Sequence, residues 1–258
     1  MSDSPILVTQ ALTKEFKGFV AVSHVNLSVQ RGHIHALIGP NGAGKTTCFN
    51  LLTKFLEPTE GQILFNGIDI TAEKPAQIAR RGIIRSFQIS AVFPQMTVLQ
   101  NVRIGLQRQL GTSYFFWRSD ASLNQLNDQA MALLAEVDLT PFAQTLAVHL
   151  PYGRKRALEI ATTLAMNPEL MLLDEPTQGM GHEDVERVTQ LIKKVSAGRT
   201  ILMVEHNMNV IASIADKITV LQRGAVLAEG SYNEVSKNPL VMEAYMGTAD
   251  GVLAGAHA

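Results

Sequence analysis

The stretch Gly39-Pro40-Asn41-Gly42-Ala43-Gly44-Lys45-Thr46 constrains this chain more than any other, because it matches the pattern G-x-x-x-x-G-K-[ST]. The apolar run His33 to Ile38 before it reads as a short buried strand, and Thr46 to Thr53 after it, with Phe49, Leu51 and Leu52, reads as the start of a helix. Glycine has no Cβ, so a glycine-rich turn between strand and helix brings backbone N–H groups close to phosphate oxygens. The positive end of the following helix adds to the same attraction. Lys45 is expected to reach the β- and γ-phosphates and the Thr46 hydroxyl to ligate Mg²⁺. A nucleoside triphosphate is therefore the expected ligand, while the stretch alone names no reaction.

Composition narrows the setting. At 258 residues and 46% hydrophobic content the chain can bury one substantial core. Its 22 basic and 23 acidic residues leave a formal charge of −1, which argues against a strong pull toward nucleic acid or anionic lipid. The single cysteine, Cys48, excludes an internal disulfide and a Cys-rich metal site and reads as a small buried apolar residue. No apolar run approaches the ~18 residues of a membrane span, and the first residues carry no signal-peptide pattern.

Strands are expected at Ile6 to Thr13 and Val22 to Val29. Asn66-Gly67 joins Gln62 to Phe65 and Ile68 to Ile70 as a hairpin, and Pro75 to Arg81 reads as a helix with proline in its first turn. Ile83 to Phe87 returns to strand, and Thr97 is the expected N-cap of the next helix. Tyr114-Phe115-Phe116-Trp117 reads either as a small aromatic cluster under a loop or as an exposed patch for a partner. Helices follow at Leu123 to Val137, Lys155 to Met166, Glu183 to Val195 and Met208 to Ile214. Buried strands are expected at Leu170 to Pro176 and Thr200 to Glu205, and Lys217 to Gln222 and Ala225 to Glu229 form a hairpin over Arg223-Gly224. The Ala/Gly-rich tail, residues 248–258, is expected to be disordered.

Asp174 closes an apolar strand, where open α/β sheets present ligands, and can hold Mg²⁺. Glu175 is then positioned to take a proton from an attacking water, and His206, ending the next buried strand, is positioned to meet the γ-phosphate from another side. Phe16, upstream of the phosphate loop, either stacks on adenine or belongs to the core.

With these motifs in this order, nearly the whole chain resembles the ATP-binding-cassette (ABC) ATPases. Gly39 to Thr47 is similar to the Walker A motif of that family, Leu170 to Glu175 to its Walker B motif, and His206 to its switch histidine. Gln88, after Arg85-Ser86-Phe87, resembles the Q-loop glutamine, which contacts Mg²⁺ and water and responds to a membrane partner. The resemblance implies an α/β fold of the P-loop NTPase, ABC type: one domain over residues 5–247, with an antiparallel β subdomain and an inserted helical subdomain near 88–166. It also implies adenine stacking by Phe16 and ATP with Mg²⁺ as ligands. The implied partners are a second ATPase subunit, identical or different and packed head to tail, two hydrophobic permease subunits docked near Gln88, and indirectly a substrate-binding protein.

Leu150-Pro151-Tyr152-Gly153-Arg154 occupies the place of the LSGGQ signature and departs from it at Pro151, Tyr152 and Arg154, leaving Gly153 as the residue with a phosphate-facing backbone N–H. Arg154 either supplies charge to the facing nucleotide or is a solvated helix-start residue. Gly181 stands where many members carry an aspartate that couples the two sites. Arg85 to Gln88 with Phe93-Pro94, Leu158-Glu159-Ile160-Ala161 and the ending Glu243-Ala244-Tyr245-Met246-Gly247 resemble the ATP-binding subunits of branched-chain amino acid importers. That branch implies ATP hydrolysis coupled to amino-acid uptake at the cytoplasmic face of the plasma membrane. The alternatives are a related urea or amide importer, a soluble cassette acting on ribosomes or DNA, and a small-molecule kinase with an acceptor pocket in place of the signature.

Overall fold

Five parallel strands and one antiparallel edge strand build the central sheet. In the computed structural model, which describes residues 4–86, 92–107 and 124–246, its order is β11-β10-β4-β9-β8-β7. The ranges are β4 Ile34–Ile38, β7 Ile83–Ser86, β8 Leu170–Asp174, β9 Thr200–Val204, β10 Lys217–Gln222 and β11 Ala225–Gly230. Every residue of β4, β8 and β9 is buried, which explains why these strands read as continuous apolar runs rather than alternating ones. Strand β9 lies between β4 and β8, with Leu37 and Asp174 both in register with Val204. The C-terminal ends of all three strands therefore open onto one edge of the sheet.

A second, antiparallel sheet carries β1 (Pro5–Phe16), β2 (Phe19–Val25), β3 (Ser28–Gln30), β5 (Glu60–Phe65) and β6 (Ile68–Asp69). The strand expected over Val22 to Val29 is broken in two. Asn26 accepts a hydrogen bond from the Ala11 N–H (2.8 Å) while its amide donates to the His24 carbonyl (3.2 Å), and His24 takes φ 50°. This local side-chain pairing competes with the ladder, as asparagine does at turns. Helix α1 (Lys45–Leu52) runs between the sheets, with Cys48, Phe49, Leu51 and Leu52 completely buried. Burial pushes the Cys48 thiol up to about 12, consistent with its role as a packing residue.

Helix α2 (Pro75–Arg81) ends at Gly82, which takes φ 100°. Helices α3 (Val98–Gln107), α4 (Asn127–Glu136) and α5 (Tyr152–Ala165) pack on one another through Val102, Leu106, Ala130, Leu134, Leu158 and Ala161. Thr97 does cap α3: its hydroxyl accepts from the Gln100 N–H while the Gln100 side chain accepts from the Thr97 N–H. Helix α5 begins three residues before the expected Lys155 because Pro151 can end an extended segment and leave Tyr152, Gly153 and Arg154 in the first turn. Helices α6 (His182–Val195), α7 (Met208–Ile214), α8 (Tyr232–Ser236) and α9 (Pro239–Met246) follow among the described residues. The expected strand end at Phe87, the aromatic run Tyr114 to Trp117, Gln88 and the tail 248–258 lie outside the described residues.

Candidate nucleotide site

The loop after β4 is shaped by two glycines whose surroundings leave no room for a side chain. Gly39 takes φ 150°, and a Cβ there would lie 2.2 Å from the Leu221 carbonyl oxygen. Gly44 takes φ 99°, and its Cβ would lie 2.6 Å from the Ala21 carbonyl oxygen. The Gly224 N–H donates to the Ala43 carbonyl (3.0 Å) and the Gly224 carbonyl accepts from Ser23 (2.8 Å), so the β10–β11 turn clamps the loop from outside. From the other side Tyr245 of α9 sets its phenol against the Gly39 backbone; burial pushes this phenol up to about 12 and the hydrogen bond opposes that rise. In the sequence the segment around Tyr245 resembles one branch of the family, and nothing local ties it to the loop.

Asn41, Gly42, Ala43, Gly44, Lys45, Thr46 and Thr47 line a cavity of about 330 Å³ together with Phe19, Ala21, Glu175 and His206. Lys45 is buried and its ammonium donates to the carbonyls of Gly39 (2.7 Å) and Pro40 (2.9 Å). Burial lowers its pKa, opposed by the charges of Glu175 and Asp174. Thr46 is exposed on the first turn of α1. Phe16 lies at the end of β1, directly across the Lys17-Gly18 turn from Phe19, with the Lys14 ammonium 5.2 Å from its ring centre. It is Phe19, 68% exposed, that lines the cavity. Opposed residues of an antiparallel pair share a face, so Phe16 and Phe19 stand together beside the loop.

Glu175 follows β8 in the left-handed region, at φ 45°, with its N–H held by the Val204 carbonyl (2.9 Å). A non-glycine residue held there costs about 1–3 kcal/mol and is typical of functional positions. Its Oε1 is 2.6 Å from His206 Nε2, and the carboxylate is 11% exposed against 41% for the imidazole. Asp174 is 1% exposed and pairs with Arg85, which also donates to Asn50 (2.6 Å) and stands 5.7 Å from the Phe49 ring centre. Arg156 of α5 pairs with Glu159 (2.6 Å) and donates to the Asp174 carbonyl (3.0 Å), tying the helical layer to the end of β8. In the sequence Arg85 stood only within a segment resembling one branch of the family, and Arg156 carried no signal beyond its charge.

The donor set suits a cation held partly by substrate. Asp174 Oδ1 is buried with no hydrogen-bond partner among the described residues, an oxygen left for a ligand. No cluster of three or more His, Cys, Asp or Glu among the described residues forms a complete cage. Mg²⁺ is ordinarily bound by one or two protein oxygens plus phosphates and water, which is what Thr46 and Asp174 can offer.

Gly153 sits in the first turn of α5, where a Cβ would lie 2.5 Å from Asp184 Oδ1. It does not line the cavity of its own chain. The Tyr152 hydroxyl donates to the Gln178 carbonyl (3.2 Å), and Arg154 stacks on Phe142 with its guanidinium 3.8 Å from the ring centre. Arg154 is thus engaged within its own helical layer rather than standing solvated.

Comparisons with known proteins agree with this geometry. Residues 22–178 match the family model described as ABC transporter, and residues 225–251 match that of the branched-chain amino acid ATP-binding cassette transporter. The chain is 39% identical to the high-affinity branched-chain amino acid transport ATP-binding protein BraF of Pseudomonas aeruginosa, over 95% of this chain and 99% of that one. It is 37% identical to the corresponding LivG protein of Escherichia coli, with the same coverage. A crystal structure of an ATP-binding cassette of an ABC transporter in its ADP conformation superposes with a TM-score of 0.83 at 30% identity, covering 94% of this chain and 99% of the other. A dimeric cassette in a post-hydrolysis state, bound to ADP and Pi, superposes with a TM-score of 0.72 at 27% identity, covering 88% of this chain and 98% of the other.

Proposed function

Because the chain belongs to the ABC transporter family of ATPases, we propose that it is the ATP-hydrolysing subunit of an importer for branched-chain or related amino acids. Glu175 and His206 line the same cavity as the phosphate loop, and that conjunction carries the assignment of hydrolysis. The cargo rests on the match over residues 225–251 and on the relatives' transport of branched-chain amino acids.

In this reading the loop amides of Asn41 to Thr47 receive the phosphates, and Lys45 exchanges two backbone carbonyls for phosphate oxygens. Gly39 and Pro40 shape the entry to the loop, and Phe16 or its neighbour Phe19 supports the base. Thr46, Asp174 and Gln88 would hold Mg²⁺, which when bound neutralises phosphate charge. Glu175 accepts the proton of the attacking water at its carboxylate. His206, hydrogen-bonded to that carboxylate, orients it and faces the terminal phosphate.

Gly153 and its neighbours would serve the nucleotide of a second subunit packed head to tail; pairing as such is supported by the dimeric cassette that this chain resembles. The α3–α5 layer is the helical subdomain that meets two permease subunits. None of the described helices is long and apolar enough to cross a membrane, so attachment to the cytoplasmic face is peripheral, through those subunits.

Deletion of the gene, followed by uptake assays with labelled leucine, isoleucine, valine and urea, tests the reading. Loss of branched-chain amino acid uptake, restored by the wild-type chain and not by Glu175→Gln, is the expected result. Unchanged amino-acid uptake with loss of urea uptake would move the cargo to the related importers.

A further inference from the structure

We propose that Glu205 is a positioning residue for hydrolysis, a carboxylate staple that holds the Glu175 loop and the His206 loop in one fixed relation. The assignment rests on the reading of Glu175 and His206 as the hydrolytic pair. Glu205 follows directly on β9, is 3% exposed, and turns its side chain toward both loops. One carboxylate oxygen accepts from the Thr177 hydroxyl (2.9 Å) and the Thr177 N–H (3.4 Å), two residues after Glu175. The other accepts from the backbone N–H groups of His206 (2.9 Å) and Asn207 (3.1 Å).

A carboxylate offers about four acceptor positions, and all four partners here are donors. The two sets of donors belong to segments almost thirty positions apart in sequence, yet one group satisfies both. On its far side the His206-Asn207 segment is pinned again, because the Asn207 side chain caps α7 by accepting from the N–H groups of Asn209 (3.0 Å) and Val210 (3.4 Å). The Glu175 N–H is tied to the Val204 carbonyl, immediately before Glu205. The 2.6 Å contact of Glu175 and His206 therefore hangs between two backbone cross-links, of which the Glu205 carboxylate reaches both loops.

An amide in its place keeps one acceptor oxygen and turns an N–H₂ toward the other donors, so Glu205→Gln can hold one loop and must release the other. A displacement of about 1 Å in a catalytic group costs on the order of 10²-fold in rate. The phosphate loop lies on β4 and is untouched by this change, so ATP binding is not expected to weaken.

Steady-state hydrolysis by the assembled transporter, together with nucleotide binding and the unfolding midpoint of the isolated chain, tests the staple. Glu205→Gln is expected to lower kcat by roughly 10- to 100-fold while leaving KM for ATP within about threefold. Thr177→Val, which removes one of the four donors, is expected to lower kcat in the same sense, and Thr177→Ser, which keeps the hydroxyl, to restore it. If Glu205→Gln does not fold, the Thr177 pair decides. A kcat for Glu205→Gln within about twofold of wild type, or Thr177→Val indistinguishable from Thr177→Ser, would overturn the inference. Normal hydrolysis by Glu175→Gln would instead overturn the reading of the pair itself, so the two failures are distinct.

Discussion

His206 Nε2 lies 2.6 Å from Glu175 Oε1, a pairing of residues thirty-one positions apart that the adjacency of β8 and β9 makes possible. If they act as a unit on the attacking water, Glu175→Gln should lower hydrolysis by about 10²–10⁴-fold with ATP still bound. His206→Ala should lower it as well, and the double variant should be little worse than Glu175→Gln alone. Single-turnover phosphate release with radiolabelled ATP measures this; additive losses would mean that the two side chains act separately.

Lys45 spends its ammonium on the Gly39 and Pro40 carbonyls and has Glu175 and Asp174 near enough to oppose the fall in its pKa caused by burial. Exchanging those neutral carbonyls for phosphate oxygens pairs the ammonium with a charged acceptor, and losing a hydrogen bond to a charged group costs about 1.5–3 kcal/mol. Lys45→Met is therefore expected to weaken ATP binding by at least about tenfold. Titration with a fluorescent ATP analogue would reveal it, and undiminished affinity would remove Lys45 from the phosphate contacts.

The loop glycines are not equivalent. Gly39→Ala and Gly44→Ala drive a methyl group into backbone carbonyls, whereas at Gly42, with φ 77°, no atom lies within 4 Å of the added carbon. The Gly42→Ala cost is then the left-handed strain of about 1–2 kcal/mol alone. Thermal unfolding should rank Gly39→Ala and Gly44→Ala well below Gly42→Ala; equal midpoints would contradict the packing of the loop against Leu221 and Ala21.

His35 on β4 is completely buried, with Nε2 2.8 Å from the Thr219 hydroxyl, which itself donates to Glu229 (2.7 Å). The hydrogen-bond direction makes Nε2 the protonated nitrogen and leaves Nδ1 without a partner among the described residues. Burial lowers its pKa from 6.5 to about 4; Glu229 opposes this, while Lys217 and His33 add to it. The unfolded chain thus binds this proton below about pH 6.5 while the folded chain does not, so stability falls as pH drops from about 6.5 toward 4, by up to about 3 kcal/mol. Urea unfolding at pH 7 and pH 4.5 should resolve this contribution, and His35→Gln should reduce the slope.

The parts of the fold that were legible in the sequence are those governed by neighbours in the chain. The Asn66-Gly67 turn, the Thr97–Gln100 capping box, the proline in the first turn of α2 and Gly82 at its end each follow from the conformational range of one or two residues. The break in the strand expected over Val22 to Val29 has no local signal, because it depends on Asn26 meeting Ala11, fifteen positions away. Phe16 faces Phe19 across the turn and Phe19 lines the cavity, a relation set by the hairpin pairing that the position of Phe16 in a family pattern does not record.

Sequence alone determined the form of the loop at Gly39 to Thr46, because it encodes backbone angles and a lysine that few other loops share, and it marked Asp174, Glu175 and His206 as strand-end residues. Tertiary structure decided what those strand ends do together. By inserting β9 between β4 and β8 it brought His206 to Glu175, and it set Arg85 against Asp174, Glu205 across both loops and Tyr245 behind Gly39. These contacts join segments far apart in the chain, and their partners are selected by sheet order and burial, which no local pattern of residues records.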